Sequence, residues 1–268
     1  MTAPQNPADL AAARLTDVAE ATGRLLRTLA ALEPAAVAGP SALPGWTRGH
    51  VLAHVARNAD SLVNLLDGAR TGTDVPQYAS DEARDLGIEE GAPRPLDVQA
   101  DDVRDSHAGF AAAAALLPAE AWAASVRHRS GYLFPAHEIP WKRLMEVEYH
   151  HVDLAAGYSP ADWPESFATA EFRRLAARLA GADAAAGAGA SGDLPTALPA
   201  ALLVAGDTGD RARIGSADGE ARLSVEGPVR TLTAWLSGRS DGDGLLVRED
   251  GVPLADGRAA LPPLPPLG

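Results

Sequence analysis

The chain has no cysteine in its 268 residues. A disulfide, a thiolate zinc site and a cysteine nucleophile are therefore excluded, and any thiol chemistry must draw its sulfur from a cofactor. Lysine is almost missing too: Lys142 is the only one, and arginine carries the rest of the positive charge. Positive charge is itself in deficit, 23 basic residues against 36 acidic, for a net charge of −13. With no surplus to attract phosphate, the chain does not read as a general binder of nucleic acid or anionic membrane. A local basic pocket for a small anion stays open. There is no apolar run long enough to span a bilayer. The first residues, Met1 to Asn6, have neither the basic nor the apolar segment of a signal peptide. The expectation is a soluble, cytoplasmic protein with no membrane partner.

What is present suffices for a real core. Hydrophobic residues make up 46% of the chain, and its length fits one large domain or two modest ones. Asn6-Pro7 predicts a capped helix start, after which Leu15, Val18, Leu25, Leu29 and Leu32 recur at helical spacing. Thr47 is the N-cap of a second predicted helix, to Leu66, carrying His50 and His54. Residues 68 to 95 form a long connection in which Ser80 caps a short helix bearing Arg84. A third long helix is expected from Leu96 to Leu117, with Val98, Val103, His107, Phe110 and Ala114 facing inward. Residues 121 to 141 are irregular and aromatic, either a lid or a loop packed on the bundle. A fourth long helix starts near Ile139-Pro140 and ends at Gly157. Helices joined in pairs through a long crossover are a known four-helix arrangement.

A further helix is predicted from Ser166 to Leu179. The Ala/Gly-rich stretch 181–197 then reads as a flexible linker. This divides the chain into a helical bundle over 1–180 and a small domain over 198–268. In the latter, short strand-like pieces at 201–205, 211–214, 221–225 and 245–248 surround one helix, Pro228 to Leu236. The expected fold class is a four-helix bundle followed by a small α+β C-terminal domain.

The stretch Arg143 to Leu154 concentrates the chemistry. On a helix, Glu146 and His150 lie four residues apart on one face, a two-point grip for a divalent metal. Asp153, three residues further on, is placed to orient a ring nitrogen of His150, as metal-bound histidines require. A third ligand must come from elsewhere, and His54 is the best candidate. Two imidazoles and one carboxylate suit zinc with an open fourth position, the arrangement of catalytic sites. They equally describe the facial triad of iron(II), and spacing alone does not choose. A fourth ligand from His50 or His151 would instead make the site saturated and structural.

The run Leu43-Pro-Gly-Trp-Thr-Arg-Gly-His-Val-Leu-Ala-His54-Val-Ala-Arg-Asn-Ala-Asp60 resembles the N-terminal signature of the mycothiol-dependent maleylpyruvate isomerase family, within the DinB-like superfamily of metal-binding four-helix bundles. Arg143-Leu-Met-Glu146-Val-Glu-Tyr-His150-His-Val-Asp-Leu-Ala-Ala-Gly-Tyr158 resembles its second signature. Leu232-Thr-Ala-Trp-Leu-Ser-Gly-Arg239 is similar to a motif of its C-terminal domain. The resemblance implies zinc on His54, Glu146 and His150, and mycothiol, a small-molecule thiol of actinobacteria, as cofactor.

It further implies a reaction. A metal-bound thiolate adds to the cis double bond of maleylpyruvate, the new single bond rotates, and elimination leaves the trans product. A dicarboxylate calls for cations, for which Arg84 and Arg239 are the candidates. The alternatives are a mycothiol-dependent S-transferase acting on another small anionic electrophile, and a non-catalytic metal- or ligand-binding module.

Overall fold

The computed structural model describes residues 6–180, 198–216 and 220–265. The chain divides into two compact units, Met1–Tyr158 and Ser159–Gly268.

In the first unit the long helices are α1 (Pro7–Ala31), α2 (Arg48–Thr71), α4 (Leu96–Ala115) and α5 (Ile139–Asp153), with a shorter α3 (Asp81–Gly91) in the crossover. Each of α1 and α2 packs on both α4 and α5, and α3 lies against α2. This is the expected four-helix bundle. Its caps are those that the residues call for: Asn6 accepts from the Ala8 amide, Thr47 from the His50 amide and Ser80 from the Ala83 amide.

Arg48, at the start of α2, ties this helix to the end of α5. Its Nε and Nη2 donate to the carbonyls of Leu154 and Ala155, each at 2.9 Å. The Ala42 amide adds a bond to the Asp153 carbonyl. Close approach fixes α3 on α2: a Cβ on Gly49 would meet the Ala92 carbonyl oxygen at 2.1 Å, and one on Gly91 the Ala53 Cβ at 2.6 Å. Those two glycines let the helix carrying Arg84 lie next to the helix carrying His54.

Several expected details differ. The third long helix stops at Ala115, and Val98 is exposed while Leu96, Gln99, Val103, Ser106, Phe110 and Ala114 are buried. The inward face is thus set one position away from Val98. α5 ends at Asp153, four residues before Gly157. Residues 121–141 are partly ordered into an antiparallel hairpin of β1 (Ser125–Arg127) and β2 (Leu133–Pro135). Trp122, Val126 and Phe134 are buried there, so this segment packs on the bundle.

The second unit holds α6 (Glu165–Leu179), α7 (Val229–Leu236) and five strands: β3 (Ala201–Ala205), β4 (Arg211–Ile214), β5 (Leu223–Gly227), β6 (Leu246–Glu249) and β7 (Val252–Pro253). The sheet order is β4-β3-β5-β6-β7, with β3 and β5 parallel and the other pairs antiparallel. This is the expected small α+β fold with one helix more. Phe172, Leu175 and Leu179 of α6 share a core with Leu203, Val225, Leu232 and Trp235. The sequence reading put this helix with the bundle, but its apolar face is covered by α7 and the sheet. The expected linker at 181–197 lies outside the described residues. Among the described residues, no helix is long and apolar enough to cross a membrane.

Candidate metal centre

Local sequence sets the first histidine. Thr47 opens α2, and His50 completes the cap, its Nδ1 accepting from the Thr47 amide at 3.2 Å. The His50 ring is thereby used on the backbone, with its Nε2 3.4 Å from Glu89. His54, one turn later, is turned into the bundle and is 6% exposed.

On α5, Glu146 and His150 share a face as their spacing requires. The His54 Nε2 lies 3.0 Å from Glu146 Oε2, and the His150 Nε2 lies 3.2 Å from the same oxygen. The two imidazoles meet edge to face with centroids 4.5 Å apart. Among the described residues this is the one group of three or more His, Cys, Asp or Glu able to hold a metal ion, with ligand atoms within 4.8 Å of one another. Four ligands at zinc bond lengths of about 2.0–2.2 Å in a tetrahedron stand roughly 3.3 Å apart. The observed separations fit such an ion, and the donor set of two nitrogens and one carboxylate leaves a position open.

The supporting residues fit as well. Asp153 Oδ2 is 3.0 Å from His150 Nδ1, which leaves Nε2 for the metal side. Burial opposes charge on Glu146, but His150 and His54 outweigh it and hold the carboxyl well below its ordinary range. Burial, the neighbouring His150 and Arg84 keep His54 below its ordinary value. For His150 burial also disfavours the proton, but Asp153 and Glu146 prevail and raise it. An anionic carboxylate and a neutral His54 are the forms in which these groups bind metal.

Residues near the triad in sequence serve other ends. His151 stacks on Tyr158 with centroids 3.7 Å apart, and its Nε2 is 2.7 Å from the Thr28 hydroxyl. Glu148, 1% exposed, accepts from Arg24 at 2.6 Å and from the Tyr158 hydroxyl at 2.7 Å. Arg143 is fully buried, and its Nη1 donates to the Val55 carbonyl and to Asn58. Neither His50 nor His151 is a fourth ligand in this arrangement.

Of the two arginines expected to face an anion, Arg84 reaches the centre: its Nη2 is 3.4 Å from His54 Nδ1. Arg239 belongs to the second unit, where its Nη1 donates to the Ser237 carbonyl. Sequence reasoning missed Trp46 and Tyr78 as neighbours of the centre. The Trp46 ring lies 5.7 Å from that of His54. Tyr78 stands beside Arg84 and Ser61 and within the field of Glu146; burial first, then Glu146, push its phenol above the ordinary value. Nothing in the connection 68–95 marks Tyr78, because the loop has no periodicity to assign it a face.

Comparison with known proteins bears on this site. The family model described as "Mycothiol maleylpyruvate isomerase N-terminal domain" matches residues 18–155. A crystal structure of the mycothiol-dependent maleylpyruvate isomerase superposes with a TM-score of 0.76 at 30% identity, covering 95% of this chain and 96% of that one. The crystal structure of a histidine-to-alanine mutant of the mycothiol-dependent maleylpyruvate isomerase superposes with a TM-score of 0.75 at the same 30% identity, with the same coverage. No curated protein sequence matches.

Proposed function

This chain belongs to the mycothiol-dependent maleylpyruvate isomerase family of enzymes, and from that premise we propose that it isomerises maleylpyruvate from cis to trans, with mycothiol as thiol cofactor and zinc held by His54, Glu146 and His150. The observation that carries this reading is the convergence of two imidazole Nε2 atoms on one Glu146 oxygen, at 3.0 and 3.2 Å. When bound, zinc would supply the charge that keeps a thiol ionised near neutral pH, and mycothiol the nucleophile that adds to the double bond and leaves after rotation.

The chain's own residues do the rest. His54, Glu146 and His150 are the proposed ligands, and Asp153 stands 3.0 Å from the other ring nitrogen of His150, Nδ1. The only anionic ligand is Glu146, so the set favours an anion in the open position. Arg84, beside His54, is the proposed partner of a substrate carboxylate. Its carboxylate partner is the exposed Asp85, at 2.6 Å, a weak competitor in water.

The test is turnover of maleylpyruvate by zinc-loaded protein. Product should form only with mycothiol, and Arg84→Ala should raise KM at least tenfold. An unchanged KM would remove Arg84 from the site. A wild-type protein that joins mycothiol to other electrophiles but leaves maleylpyruvate unchanged would be an S-transferase instead.

A further inference from the structure

Arg84 and Tyr78 line one side of a cavity of about 220 Å³, together with Arg57, Asp60, Ser61 and Asn64. The two arginines there are not equivalent. Arg57 is held by Asp102 at 2.5 Å and by Asp60 at 3.1 Å, whereas the carboxylate on Arg84 is that of the exposed Asp85. The charge available to an incoming anion is therefore that of Arg84. Tyr78 is its immediate neighbour and is close enough to Glu146 to sense its charge. It also lines an adjoining cavity of about 320 Å³ with His128 and Arg129. Tyr78 thus lines both clefts, beside the arginine whose guanidinium reaches His54.

We propose that Tyr78 is a catalytic residue: its hydroxyl, beside the Arg84 guanidinium that takes a substrate carboxylate, donates a hydrogen bond to the carbonyl oxygen of the electrophile that takes up negative charge during isomerisation. This rests on the isomerase reading above. In that reaction a thiolate sulfur forms a bond to one alkene carbon, and the π pair moves through the other carbon onto the adjacent carbonyl oxygen. The remaining single bond rotates, the pair returns, and the carbon–sulfur bond breaks with its electrons leaving on sulfur. No proton is gained or lost. The oxygen therefore needs a placed donor rather than an acid, and a neutral phenol beside the group that anchors the carboxylate supplies one. Donors aimed at developing charge act on the rate more than on ground-state binding of substrate.

The experiment uses the full zinc-loaded chain and Tyr78→Phe, which keeps the ring and removes only the hydroxyl. Three quantities are measured: zinc per chain, kcat and KM for maleylpyruvate with mycothiol, and calorimetric affinity for 2,4-dioxopentanoate. That probe has the diketo-acid oxygens but no double bond to isomerise. Tyr78→Phe should keep its zinc, lose about tenfold or more in kcat, and change KM and probe affinity together by less than about threefold. An unchanged kcat, loss of zinc in the variant, or a loss of probe affinity as large as the loss in kcat would each overturn the proposal. If the wild type itself binds zinc but leaves maleylpyruvate unchanged, it is the isomerase reading that fails, and this proposal with it.

Discussion

Glu146 and Glu148 lie two positions apart on α5, and their carboxylates meet opposite surroundings. Glu146 faces two imidazoles across a site with an open side; Glu148 is sealed against Arg24 and Tyr158. On the proposed assignment the first serves metal binding and the second stability. Glu146→Gln should abolish zinc binding and change the stability of the metal-free protein by less than about 1 kcal/mol. Glu148→Ala leaves Arg24 and the Tyr158 hydroxyl without their acceptor, and should cost about 2–4 kcal/mol while zinc content is retained. Metal analysis and urea denaturation of both variants check this; a reversal of the two effects would mean that the roles are misassigned. The spacing of Glu146, His150 and Asp153 was legible in the sequence because a helix repeats at fixed intervals. The use of His50 as a cap was not, because an imidazole one turn before His54 can turn either to the backbone or to the bundle.

Elements with strong periodicity were legible; short or aperiodic ones were not. α1 and α2 announce themselves by caps and apolar faces, and α5 by Pro140 in its first turn and its apolar face. β1 and β2 have three residues each, too few for alternation to register, and the hairpin rests on contacts between rings. Within it His128 stacks on Tyr132 with centroids 4.6 Å apart, and Lys142 Nζ sits 4.4 Å from the Phe134 centroid. Burial, then Lys142 and Arg129, push His128 down to about 4. The unfolded chain takes up this proton near pH 6.5 and the folded chain only near 4, so the unfolded state binds more protons between those values. Stability contributed here is complete above pH 6.5 and is lost as the pH falls through that window. His128 is partly exposed, so solvent screening reduces the effect to about 1 kcal/mol. Urea midpoints at pH 7 and pH 5 should therefore converge more for His128→Gln than for the wild type. An equal loss in both would show that the hairpin does not sense this proton.

At the scale of the molecule, the order of bundle first and small α+β unit second was legible, and the membership of α6 was not. Phe167, Phe172, Leu175 and Leu179 state that the helix has an apolar face, but not which neighbour covers it. The structure pairs that face with α7 and the sheet. Tyr78 was hidden for a related reason: a loop residue acquires its surroundings only when α3 folds back on α2 through Gly49 and Gly91. The site thus depends on the assembled bundle, with His54, Arg84 and Glu146 drawn from three different helices. This assembly is proposed to hold a metal and present it to a thiol. The most direct test is the metal content of the purified protein, followed by calorimetric titration of mycothiol, with His54→Ala alongside. The expected result is about one zinc per chain in the wild type, with thiol binding that disappears in His54→Ala. A wild-type protein without metal, or a His54→Ala variant that binds mycothiol equally well, would contradict it.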